Sequence, residues 1–101
     1  MAKKSSIQTN MNRERMVKKA LTARKRLKEK ACDREASLEE RFAATLKLAQ
    51  MPRNGARIRV RRRCFLTGRS RGVLREYGLS RIKFRELASA GRLPGVTKAS
   101  W

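Results

Sequence analysis

The chain has 101 residues, of which 28 are Lys or Arg, eight are Asp or Glu and none is His, for a formal net charge of +20. Leu, Ile, Val and Phe fill only 20 positions, so a chain this charged buries little apolar surface, forms one small domain at most and needs a partner to order it. The missing His and the scattered carboxylates argue against an enzyme, and apolar runs no longer than Phe42-Ala43-Ala44 argue against a membrane span of about 20 residues or a secretory leader, so the chain is expected to stay where it is made.

Charge divides the sequence into residues 1–30 at +9 with Lys in the majority, residues 31–52 at −1, and residues 53–101 at +12 with twelve Arg and two Lys. The change of cation type suggests two modes of contact. From about Asn12 to Ala31 the residues are helix formers without Gly or Pro, and Met16, Val17, Ala20, Leu21, Ala23 and Leu27 make a weak apolar stripe. Such a helix is marginal in water and is expected to order where its cations meet a polyanion. Residues 1–36 therefore form a basic, partly helical extension. Ser37-Leu38-Glu39-Glu40 has the spacing of a capping box, Leu38, Phe42, Leu46 and Ala49 follow on one face, and Pro52 ends the pattern. Residues 37–52 are an amphipathic helix.

The remainder, residues 53–101, is an Arg-rich part with mixed local structure. Arg57-Ile58-Arg59-Val60-Arg61 alternates with period two and predicts a short strand with one cationic face. Thr67 to Gly72 is a turn in which Gly68 and Gly72 can take positive φ, and Val73, Leu74 and Tyr77 continue as a partner strand or an extended segment. A last helix starts at the N-cap Ser80, places Ile82, Leu87 and Ala90 on its apolar side and stops at Gly91, and Pro94-Gly95 turns the tail outward. The fold class is mainly α with a short irregular β/turn segment, extended and with a small core.

Between Arg53 and Arg85 eleven guanidinium groups recur among turn glycines. Their planar forks bind phosphate oxygens in pairs and stack on exposed bases, which suits a folded RNA. A solvated charged face is the plainer reading of one such run; this run is too long and too single-signed to serve solubility alone. Phe42, Phe65 and Phe84 are expected in the core, which leaves Tyr77 and Trp101 as stacking candidates and favours binding by shape and phosphate position. Cys64-x-x-Thr67 and Ser80-x-x-Lys83 repeat the spacing of the two knuckles of a zinc ribbon, but Thr and Ser are poor zinc ligands and Lys brings a cation to the metal. No metal or other cofactor is expected. Cys64 is then a small packed residue and Cys32 a surface thiol, both reduced.

The runs Arg63-Cys64 to Gly68-Arg69, Arg75 to Tyr77-Gly78-Leu79-Ser80-Arg81-Ile82 and Arg85-Glu86-Leu87, with the ending Gly91-Arg92-Leu93-Pro94-Gly95-Val96 to Lys98-Ala99-Ser100-Trp101, resemble the S-fourteen family of small-subunit ribosomal proteins. The opening Met1-Ala2-Lys3-Lys4 and the helix end at Pro52-Arg53 are similar to its long bacterial branch, which has lost the zinc-binding cysteines of the short branch. The resemblance implies a ribosomal protein with a degenerate, metal-free, zinc-ribbon-like C-terminal part. It implies a place in the small-subunit head, in a bacterial cytoplasm or an organelle derived from one. The partners it implies are 16S-type rRNA and neighbouring head proteins, notably the third and tenth, with a part in subunit assembly and in shaping the head near the aminoacyl-tRNA site.

On that reading Arg53, Arg57, Arg59, Arg61, Arg62, Arg63, Arg69, Arg71, Arg75, Arg81, Lys83 and Arg85 are the expected rRNA phosphate contacts. Lys3, Lys4, Arg13, Arg15, Lys18 and Lys19 thread an adjacent groove, and Lys98 and Trp101 fix the tail. Leu38, Glu39, Glu40 and Arg41, on the one helix without a cation patch, face a neighbouring protein. Three other readings stay open: a DNA-compacting protein, which lacks a sustained recognition helix or β-ribbon arms; a membrane-active cationic peptide, whose apolar faces are too small; and a hydrolase, which lacks His and paired carboxylates. Neither a membrane nor a small-molecule substrate is expected as a partner.

Overall fold

The structure, a computed structural model, describes residues 1–100. Its elements in chain order are helix α1 (Lys4–Cys32), helix α2 (Leu38–Gln50), two 3-10 turns (Arg53–Gly55 and Arg57–Arg59), strands β1 (Val73–Leu74) and β2 (Leu79–Ser80), and helix α3 (Arg81–Ser89). The chain is mainly helical with one short two-stranded sheet. Its contacts gather into two units: Thr9–Val60, and Met1–Gln8 together with the chain from Arg61 on.

In the unit Thr9–Val60, α2 begins where the sequence predicts. The Ser37 hydroxyl accepts the Glu40 N–H at 3.3 Å, Glu39 and Glu40 occupy the first turn where the helix dipole favours carboxylates, and Met51 turns extended ahead of Pro52. The buried face is not the predicted one. Ala44 is buried and lines a cleft with Leu27 and Lys30 of α1, whereas Phe42 is 64% exposed and Leu38 80%. Small residues let α2 come close on the Ala43–Ala44 side, and residues two and six positions away then point to roughly the opposite side. Phe42 is therefore not a core residue. Beyond Pro52 the chain turns back on α1: Arg24 donates through Nη2 to the Pro52 carbonyl at 2.8 Å, and a Cβ on buried Gly55 would lie 3.3 Å from that of Ala20.

The strand expected over Arg57–Arg61 is absent. Arg57–Arg59 forms a 3-10 turn, Val60 N–H bonds to the Arg57 carbonyl, and Arg59 donates to the Asn54 side chain at 3.0 Å. Alternation gives a strand only where another strand satisfies its backbone; here the backbone satisfies itself locally, and Ile58, 91% exposed, has no sheet face to join.

The other unit is held by backbone hydrogen bonds around a tight turn. Gly68 N–H closes the turn on the Cys64 carbonyl at 2.8 Å, Cys64 N–H bonds to Arg69 O at 2.9 Å, and Ala2 N–H bonds to Thr67 O at 3.1 Å. β1 and β2 pair antiparallel, Val73 with Ser80 and Leu74 with Leu79, so Val73 and Leu74 do form a strand, with a partner downstream. Buried Cys64, Leu79 and Ser80 form the small centre. α1 starts at Lys4, eight residues before the pattern suggests, because Ile7 packs on Gly68, whose φ of +70° and closeness to the Ile7 side chain leave no room for a Cβ. Ser80 caps α3 by accepting the Lys83 N–H at 3.3 Å. Gly91 (φ +66°) ends it in a Schellman motif, with Arg92 N–H on Leu87 O and Gly91 N–H on Ala88 O.

Candidate nucleic-acid interface

The turn and the start of α3 bring distant cations together. Arg63, Arg69, Arg71 and Lys83 border a single cleft of about 450 Å³, with Met1, Ala2, Thr67, Ser70, Ser80 and Ile82. Arg63 is anchored there by an Nη1 hydrogen bond to Gly68 O at 2.8 Å, and Arg69 by Nε to Arg71 O at 3.1 Å. Each bond uses one of the five guanidinium donors and leaves others for a ligand. Lys83 meets Glu86 at 2.6 Å, a half-exposed pair that a phosphate can compete with. The Ser70 hydroxyl adds a donor on the same side, so the cleft suits an anion.

A second cleft on α3 is lined by Arg81, Ile82, Arg85, Glu86 and Ser89, which places Arg81 and Arg85 one helical turn apart. Exposed Arg61, Arg62 and Arg75 belong to the same unit, as do exposed Lys3, Lys4 and Lys98. The other predicted cations lie in the unit Thr9–Val60. Arg53 and Arg57 are exposed, Arg59 is half-buried on Asn54, and Arg13, Arg15, Lys18 and Lys19 lie along α1, with Arg13 half-buried. Trp101 lies outside the described residues. Eight acids cannot neutralise 28 cations, and the pairs Lys25–Glu29 and Lys83–Glu86 leave the cationic surface uncompensated.

Cys64 is buried as expected and Cys32 exposed. Burial raises the Cys64 pKa, but the Thr67 hydroxyl and the backbone N–H groups of Ser80, Thr67 and Leu66 directed at the sulfur together draw it down from 9.0 to about 6. The four positions with zinc-knuckle spacing do not fit a metal. Thr67 faces the Cys64 sulfur, Ser80 is occupied as a cap, and Lys83 pairs with Glu86; among the described residues no cluster of metal-ligating side chains occurs.

Aromatic placement departs from expectation. Phe84 is half-buried with its ring 4.7 Å from that of Tyr77, tilted by 56°, so Tyr77 is partly engaged in packing. Phe65 is 84% exposed and is not a core residue: the Cys64–Gly68 turn spends its buried position on the thiol and turns the next residue out. Apolar character alone hid this, and the signal available was the turn spacing itself. At the exposed start of α2, Ala31, Leu38, Glu39, Arg41, Phe42 and Thr45 line a shallow cleft, which brings Leu38, Glu39 and Arg41 together; exposed Glu40 lies on the side toward Ala44.

The family model described as Ribosomal protein S14p/S29e matches residues 47–100. Over all 101 residues and the full length of the relative, the chain is 57% identical to small ribosomal subunit protein uS14 of Rhodopseudomonas palustris strain BisA53 and to that of Paramagnetospirillum magneticum. It is 54% identical over the same span to uS14 of Rhodospirillum centenum.

Proposed function

The chain belongs to the S14p/S29e family of ribosomal proteins, and from that premise we propose that it is a structural constituent of the small subunit that binds 16S-type rRNA in the subunit head. Its place is the cytoplasmic ribosome, as for its bacterial relatives. The observation that carries the reading is the convergence of Arg63, Arg69, Arg71 and Lys83 on one cleft, beside exposed Arg61, Arg62, Arg75, Arg81 and Arg85. Charges held by backbone hydrogen bonds before binding lose little entropy on meeting phosphates. Arg53, Arg57 and Arg59 of the unit Thr9–Val60 are further phosphate contacts, Lys3, Lys4, Arg13, Arg15, Lys18 and Lys19 follow a groove of the rRNA, and Lys98 with Trp101 secures the tail.

Residues 53–101 form the main rRNA-binding part and residues 1–36 an extension ordered on rRNA. The helix of residues 37–52 turns Leu38, Glu39, Glu40 and Arg41 to neighbouring head proteins, the third and tenth among them. The turn-and-hairpin of residues 64–83 is a zinc-ribbon-like element in which backbone hydrogen bonds stand where metal ligands would be. The role is assembly of the head and support of its conformation near the aminoacyl-tRNA site, with no catalytic step. Titration of the full chain against small-subunit rRNA at increasing salt tests the reading. With roughly eight phosphates contacted, log affinity falls with log salt at a slope of about −6, and a slope near zero overturns it.

A further inference from the structure

We infer that Phe65 is a stacking platform for an unpaired nucleobase, so that the cationic unit reads an unstacked base as well as phosphates; this rests on the RNA-binding reading above. The ring stands 84% exposed, and leaving a Phe side chain in water forgoes burial that a core would use. Its mounting is rigid. Phe65 N–H bonds to the Gly78 carbonyl at 3.0 Å, and the adjacent Cys64 carbonyl accepts Gly68 N–H at 2.8 Å.

Gly78 makes the mounting possible. Its φ is +62°, and a Cβ built there would fall 1.9 Å from Cε2 and 2.5 Å from Cδ2 of Phe65, so one edge of the ring lies on bare backbone while the rest faces solvent. Leu66, the next residue, is 60% exposed, which widens the apolar surface at the tip of the turn. A nucleobase needs such a flat aromatic face, and stacking is tolerant of base identity.

The charge of the unit selects the occupant. Arg61, Arg62 and Arg63 immediately precede Cys64, and residues 61–101 carry +9, a field that favours a strand whose phosphates flank the stacked base over a cationic protein. In contrast, the exposed Phe42 shares its cleft with Glu39 and Arg41, where no such field exists. Aromatic stacking and guanidinium–phosphate contact together form the pattern by which single-stranded or bulged RNA is held.

The test compares binding of the full chain to an all-uridine RNA octamer and to the same octamer without its bases, at several salt concentrations. The phosphate count is equal, so the ratio of affinities isolates the bases. F65A is expected to lower the ratio by roughly tenfold and leave the salt slope of both octamers unchanged, while F65W restores the ratio. A ratio unchanged in F65A overturns the platform but leaves the phosphate reading standing; retained octamer binding with lost incorporation of F65A into subunits assigns the ring to a protein neighbour instead. A salt slope near zero in the unaltered chain overturns the RNA-binding reading and the platform with it.

Discussion

The segment around α2 and the segment around the Cys64 turn solve one problem in opposite ways. α2 has ordinary helix chemistry, a hydroxyl cap, acids in its first turn and an apolar stripe, yet it buries Ala44 and leaves Leu38, Phe42 and Leu46 in solvent. The turn and hairpin of residues 64–80 have almost no apolar pattern, yet Cys64, Leu79 and Ser80 are buried and the backbone is bonded from both sides. In a chain with so few large apolar residues, order comes from backbone donors, caps and left-handed glycines. The large side chains are left outside as contact material.

That contrast can be broken most directly at the charges. R62A/R71A/R75A removes three exposed guanidiniums and is expected to flatten the salt slope of rRNA binding by about 2, one phosphate contact per residue. The same three substitutions are expected to leave thermal unfolding within about 0.5 kcal/mol of the unaltered chain. A slope that does not change, measured by filter binding at four salt concentrations, would move the phosphate contacts elsewhere.

Next in size are the backbone positions. G68A places a Cβ 2.5 Å from Ile7 Cδ1 at φ +70° and is expected to destabilise its unit by about 2 kcal/mol, seen as faster amide exchange at Ala2, Cys64 and Gly68. Loss of a cap costs about 1 kcal/mol: S80A, at a buried cap, is expected to exceed S37A, at an exposed one. Equal losses by circular dichroism melts would remove the distinction between the two segments.

Cys64 gives a pH dependence with a definite sign. Its thiol is held at about 6 against 9.0 in the free state, so its contribution is fully present above pH 9, declines as pH falls toward 6 and is gone below that. Stability of the turn should rise between pH 6 and 9, and C64S should abolish that rise in exchange measurements at Gly68. The smallest effect on stability is expected at the face of α2. F42S and E39K/E40K should change unfolding and naked-rRNA affinity little but reduce incorporation into subunits, and an equal loss on naked rRNA would refute the protein-facing assignment.

Capping and termination were legible from sequence because they depend on residues three or four positions apart: Ser37 with Glu40, Ser80 with Lys83, Gly91 with Leu87 and Ala88. The exit from α2 at Pro52 is equally local. What could not be read depends on partners distant in the chain or outside it. Alternation over Arg57–Arg61 states that a strand could have two faces but not whether another strand is there to pair with it. The apolar character of Phe42 and Phe65 states that a cover is wanted, not who supplies it. Of the cationic site, the residue types and their density were visible; the cleft that joins Arg63 and Arg69 to Lys83 was not, because it needs the Cys64 turn and the β1–β2 pairing to exist first.

The bond from Ala2 N–H to Thr67 O has a consequence for the order in which the protein acquires structure. It joins residues 65 positions apart in the chain, and closing a loop of that length costs about 4 kcal/mol of chain entropy. α2 and its caps rest on residues three or four positions apart, whereas the packing at the start of α1 rests on Thr67 and Gly68. The unit that carries the cationic cleft therefore closes only when both of its chain segments, Met1–Gln8 and the residues from Arg61 on, are present together.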